Sequence, residues 1–426
     1  MQYIRKRLRN GLRVVLAPRV DVESTTVMIM TGAGSRYETA RENGLAHFLE
    51  HMFFKGTQRR PTAQHISHEL DAIGGEYNAF TGKDRTAYYA KVHATHAHLA
   101  LDVVSDIFLH ARLRKRDIDK ERGAIIQEIS MYNDMPSRDI YHVFDKLLYG
   151  NNHPLGWTVL GPKENILRFT RRDLQRYMQR CYTAHNTVIC VAGKFNQGAM
   201  LKQIRADFAQ MRDSAVPTFA PYTHYQKSPR IAVRNKKTDQ TQLILGFPAY
   251  HSTHKDRYVL SVLATILGGG MSSRLFRIVR EERGLAYSVY AGTERFLDAG
   301  AFYVKAGIEH KNLVNTVRLI VNELVTIRRR VVTSTELIKA KEYLKGHLVL
   351  GLETSDDVAN YLIEQEVTHG VIRTPAEVMA RIDAVSAADV KRVAQEIFVS
   401  HKSNLAVIGP HAGLRKELQS LLDVAY

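Results

Sequence analysis

His47, Glu50 and His51 lie in the stretch GLAHFLEHMFFKGT, residues 44–57. At helical spacing Leu45, Phe48, Leu49, Met52 and Phe53 fall on one face, a core face, while His47, Glu50 and His51 fall on the other. Imidazoles one turn apart point the same way, which is how a helix offers two nitrogens to one metal ion. Further on, DKERGAIIQEISMYND puts Glu121 and Glu128 two turns apart, on a stripe with Ile125 and Tyr132. Carboxylates in an apolar stripe are costly to bury unless paired, for instance with Arg122, or bound to a cation. One glutamate added to the two histidines makes a His/His/Glu set, leaving the fourth position of a zinc site for water.

Such a set needs a scaffold. The chain has 426 residues, 45% of them hydrophobic and 24% charged, enough for two or three domains with their own cores. Two cysteines, Cys181 and Cys190, are too few for a disulfide framework and favour a reducing compartment. No apolar run approaches the roughly 18 residues that span a bilayer. The arginine-rich start resembles a transit peptide in charge but lacks its serines, and Leu12 to Leu16 reads as a strand after an Asn-Gly turn. With no signal-peptide apolar region either, a bacterial cytoplasmic location is expected. The net charge of +17 is spread over scattered clusters with no nucleic-acid-binding motif, so neither nucleic acid nor membrane is expected as a partner.

The chain repeats itself. MRDSAVPTFAPYTHYQKSPR has three prolines and no helical or strand period, and reads as a linker. The segment from His98 resembles the one from Asn312, and FTRRDLQRYMQRCYTAHNTVICVAG, ending at Gly193, resembles VSAADVKRVAQEIFVSHKSNLAVIG, ending at Gly409. Strand patterns at Thr26 to Met30 and Thr86 to Val92 alternate with long amphipathic helices. The expected fold is therefore α+β with two homologous, duplicated domains, residues 1–212 and 231–426, joined by a linker at 213–230. The second copy has ILGGGMSSRLF where the first has its histidines.

Taken together, His47-Phe48-Leu49-Glu50-His51, Glu128, EYNAFTGKDRTAYYAKV from Glu76 and RLFRIVREERGLAYSVYA from Arg274 resemble the pitrilysin-type (inverzincin) metallopeptidases of family M16. The likeness is to the short two-domain type related to mitochondrial processing peptidase, and it spans essentially the whole chain. It implies a mostly antiparallel mixed sheet covered by helices in each domain. It implies one zinc ion per chain on His47, His51 and Glu128, with Glu50 as the base acting on zinc-bound water and Glu121 as an accessory acid that supports the metal helix. Arg280 and Tyr287 would come from the second domain to hold a substrate carbonyl and donate to the developing oxyanion.

The resemblance also implies that Asn78, Ala79 and Phe80 belong to an edge strand on which an extended peptide adds, with Gly269 and Gly270 letting backbone pass closely. A tight turn explains the glycines equally well. The expected activity is that of a zinc metalloendopeptidase or oligopeptidase acting on unfolded peptides in an enclosed chamber. A non-catalytic, chaperone-like peptide binder is the alternative. Because both residue sets stand on one chain, a homodimer is the expected assembly, with a heterodimer of homologous subunits as the other arrangement in such families.

Overall fold

The computed structural model describes residues 1–423. The first half runs β1 (Ile4–Arg7), β2 (Arg13–Pro18), β3 (Ser24–Thr31), α1 (Leu45–Phe53), α2 (Ala63–Asp71), β4 (Glu76–Thr81), β5 (Thr86–His93), α3 (Ala97–His110), α4 (Lys115–Asp134), α5 (Pro136–Tyr149), α6 (Lys163–Arg168), α7 (Arg171–Cys181), β6 (Thr187–Gly193) and α8 (Gln197–Asp207). No helix or strand follows until β7 (Arg230–Asn235). Then come β8 (Thr241–Pro248), α9 (Arg257–Gly268), β9 (Ala286–Arg295), β10 (Gly300–Ile308), α10 (Leu313–Arg329), α11 (Ser334–Leu350), α12 (Ser355–His369), α13 (Pro375–Asp383), α14 (Ala387–Ile397), β11 (Asn404–Gly409) and α15 (Arg415–Leu422).

Two sheets of the same topology carry the duplication. The first has the order β1-β2-β6-β3-β5-β4 and the second β7-β11-β8-β10-β9. In each, one pair is parallel (β2 with β6, β7 with β11) and the other neighbours run antiparallel. Without β1, the two orders match strand for strand. The mixed α+β architecture is the one expected.

Side chains alternate across the first sheet with the period of two that strands impose. Val14, Leu16, Val27, Ile29, Ile189 and Val191 enter a core shared with α1 and α3. Val15, Ala17, Met28, Met30, Val188 and Cys190 face the other way, against Val358, Leu362 and Ile363 of α12. In the second sheet Leu243, Leu245, Leu405 and Val407 face one core. Ile244, Ala406 and Ile408 face Ile140, Val143 and Phe144 of α5. With both faces covered, β3 and β6 read as near-continuous apolar runs.

This covering interleaves the halves. One compact unit comprises residues 1–129, 158–220 and 349–374, and the other 130–157, 221–348 and 375 onward. The expected division into contiguous domains places α5 and α12 with their own halves. In the structure α5, from the first half, belongs to the second unit, and α12, from the second half, belongs to the first. An amphipathic helix states that it needs an apolar partner but not which of two similar sheets provides it.

Candidate metal centre

Helix α1 holds the first three site residues, and its start is built without an ordinary cap. Gly44 sits at the N-cap with φ of +107°, and no side chain there caps the helix. A Cβ at Gly44 would also lie 2.9 Å from the Leu160 carbonyl oxygen. The capping acceptor comes from outside the helix. The buried Glu38 carboxylate accepts from Ala46 N at 2.7 Å, Gly44 N at 2.9 Å and Asn43 Nδ2 at 3.0 Å. Burial pushes the Glu38 carboxyl up to about 8, against the pull of these donors. Leu45, Phe48, Leu49, Met52 and Phe53 are all buried, as the helical period requires.

On the opposite face His47, His51 and Glu128 of α4 form one potential ligand group. Glu128 Oε2 lies 3.5 Å from His47 Nε2 and 3.4 Å from His51 Nε2. Tetrahedral zinc with bonds of about 2.0–2.1 Å keeps its ligand atoms about 3.3 Å apart. These separations and this donor set, two imidazole nitrogens and a carboxylate oxygen, therefore fit a zinc ion. Among the described residues no other group of three such side chains converges in this way.

Glu121, 5% exposed, lies beside the cluster. Its Oε2 is 3.1 Å from His51 Nδ1, and its Oε1 is 2.9 Å from Lys55 Nζ. An ionised carboxylate only accepts, so Nδ1 carries a proton towards Glu121, and Nε2 faces Glu128 and the position a cation would take in place of its own proton. Burial works against it, but hydrogen bonds to Glu121 and Glu128 hold the His51 imidazole up at about 9. His47 goes the other way: burial, and then the neighbouring charge of His51, push it down to about 4. Burial raises Glu50, on the same face, above the ordinary carboxylate range. Thr81 Oγ1 donates to Glu50 Oε2 at 2.5 Å. The alternative partner for the α4 acids is engaged elsewhere, since Arg122 pairs with Asp119 and donates to the Phe169 carbonyl.

The other expected residues lie on or beside edge strands. Asn78, Ala79 and Phe80 are on β4, which ends the first sheet and pairs only with β5. Tyr287 is on β9, which ends the second sheet, and is 76% exposed. Arg280 sits in a π-helical turn over Phe276–Glu281, its guanidinium 4.8 Å from the Phe276 ring centre and 5.4 Å from that of Tyr287. The glycine run is closely surrounded. A Cβ at Gly268 would lie 2.3 Å from Ala291 N, one at Gly269 2.7 Å from Thr265, and one at Gly270 3.1 Å from the Tyr343 ring.

The roles of three residues at this site escaped the sequence reading. Lys55 lies just past the end of α1 at Phe53, where helical spacing gives no signal. Thr81 closes the segment already singled out on β4, but nothing in its spacing announces a contact with Glu50. Glu38 had none, because its cap is made through a loop and not through a capping box.

Comparison with known proteins decides the affiliation. Residues 13–163 match the model for insulinase (peptidase family M16), and residues 168–344 match that for the peptidase M16 inactive domain. The chain belongs to peptidase family M16. It is 37% identical over 408 residues to the uncharacterized zinc protease YmxG of Bacillus subtilis, covering 95% of this chain and 98% of that one. It is 38% identical over 412 residues to the uncharacterized zinc protease SCO5738 of Streptomyces coelicolor, covering 95% and 89%. Among solved structures, a protease from Helicobacter pylori superposes with a TM-score of 0.90 at 25% identity, covering 96% of this chain and 99% of that one. No described helix of this M16 member is long and apolar enough to cross a membrane.

Proposed function

We propose that this M16 protein is a zinc endopeptidase or oligopeptidase that hydrolyses unfolded peptides. The observation that carries this reading is the convergence of His47, His51 and Glu128, with Glu128 Oε2 3.5 and 3.4 Å from the two Nε2 atoms, on the helix face that also carries Glu50. His47, His51 and Glu128 would hold a zinc ion, which would supply Lewis acidity for a carbonyl and for water, whose pKa such a metal lowers toward about 7.

The protein's own groups supply the rest. Glu121 fixes the His51 ring, so that Nε2 stays turned to the ligand position. Glu50 accepts the proton of the attacking water and passes it to the departing amine, a transfer that typically contributes 10²–10⁴-fold. The free edge of β4 takes an extended peptide as an added strand, which reads backbone and tolerates varied sequence. Arg280 and Tyr287, in the second unit, are the candidates to hold a peptide carbonyl, Tyr287 as donor to an oxyanion. The assembly that belongs with this reading is a homodimer.

A fluorescence-quenched peptide library incubated with the purified chain tests the activity, with zinc measured on the same sample. Cleavage that a chelator abolishes and zinc restores is expected. A zinc-loaded protein that binds peptides without cutting any would turn the assignment to a peptide-binding homologue. Light scattering on the same preparation reads the assembly.

A further inference from the structure

Glu50 has one hydrogen-bond donor among the described residues, the hydroxyl of Thr81. Thr81 is the last residue of β4, paired with Thr86 of β5 in the backbone ladder. That pairing needs only the main chain, and Thr81 Oγ1 makes no other hydrogen bond among the described residues. A valine would suit a strand end as well, since β-branched side chains favour strands whether or not they carry a hydroxyl. The hydroxyl therefore has one evident use, which is to hold a carboxylate.

Glu50 also needs holding. A glutamate side chain has three rotatable bonds, and this one lies in partly buried surroundings on the face that carries His47 and His51. Left to itself it would sample several rotamers, including ones turned away from the ligand group. A base must be held near the proton it takes, and a misplacement of about 1 Å costs about 100-fold in rate.

We infer that Thr81 is a positioning residue for the proton-accepting carboxylate, tying Glu50 to the edge strand on which peptide would add. The inference rests on the proposed hydrolytic reading for its kinetic consequence, but the placement of Glu50 is a property of the fold. A peptide paired to β4 would run beside the strand whose last side chain grips the base. Strand occupancy and base orientation would then share one hydrogen bond.

Thr81→Val removes the donor and keeps the shape. It should lower kcat about 10- to 100-fold, with KM, zinc content and Tm close to wild type, and Thr81→Ser should restore most of the rate. A rise in KM with kcat unchanged would make Thr81 a strand residue that binds peptide and positions nothing. Full activity in Thr81→Val beside an active wild type would overturn the inference and leave the hydrolytic reading standing. Crystal structures of wild type and Thr81→Val in the metal-free form decide the placement whether or not any peptide is cut. A displaced or disordered Glu50 carboxylate in the variant is expected, and an unmoved one would overturn the inference.

Discussion

Glu121 Oε2 lies 3.1 Å from His51 Nδ1, and this contact fixes which imidazole nitrogen faces the ligand group. Removing the charge while keeping the shape should loosen the ring and lower its basicity. Glu121→Gln should therefore weaken zinc binding about 10- to 100-fold, as losing such partners typically does. Competition with a chromogenic chelator measures it, and an unchanged affinity would leave Glu121 as a partner of Lys55 alone.

Glu50 and Glu128 should separate cleanly. Glu50→Gln keeps the volume and removes the proton acceptor, so turnover should fall about 10²–10⁴-fold with zinc retained. Glu128→Gln should lose zinc, because it removes one of three ligands. Metal analysis beside the cleavage assay distinguishes them, and zinc lost from Glu50→Gln would make Glu50 a ligand.

Glu38 should matter to stability through the helix it caps. Glu38→Gln replaces an acceptor on both oxygens by an amide, leaving an N–H of Gly44 or Ala46, or the Asn43 amide, without an acceptor. A loss of about 1–3 kcal/mol is expected from a buried donor so stranded. Urea denaturation reads it, and a variant as stable as wild type would show that the loop re-forms the cap.

In the second unit Arg274 grips Glu336 in a two-pronged pair, with Nε to Oε1 at 2.6 Å and Nη2 to Oε2 at 3.0 Å. The Arg274 contact first, and then the Thr333 backbone N–H, depress the Glu336 carboxyl from its ordinary 4.5 to about 2. A depressed folded value means that the contribution is whole above pH 4.5 and lost as pH falls through about 2. Glu336→Gln should lower Tm by about 2–4 °C at neutral pH, as ~1 kcal/mol does for a solvent-touched pair in a domain of this size. The gap to wild type should close between pH 4.5 and 2 in thermal scans. A gap that persists at pH 2 would assign the loss to packing.

Much of the metal centre was legible because helical periodicity is geometric. His47 and His51 one turn apart, and Glu121 and Glu128 two turns apart, land where 3.6 residues per turn put them. Their division of labour was less legible. Spacing alone makes Glu121 and Glu128 equivalent, and only the fold brings one carboxylate to both Nε2 atoms and the other to Nδ1. The strand expected at Leu12 to Leu16 is observed at Arg13–Pro18, and the one at Thr26 to Met30 extends over Ser24–Thr31. What the sequence hid were the contacts carried by topology: α12 on the first sheet, α5 on the second, and Thr81 against Glu50.

The exchange of α5 and α12 has a consequence for the order in which the chain is made. The last strand of the first sheet, β6, ends at Gly193, yet the helix that covers its second face begins at Ser355, about 160 residues later. At ribosomal speeds of about 5–20 residues per second that interval lasts on the order of ten seconds or more. Throughout it Met28, Met30, Val188 and Cys190, all buried in the finished fold, lack the helix that covers them there. Apolar surface left uncovered for that long is what chaperones shield.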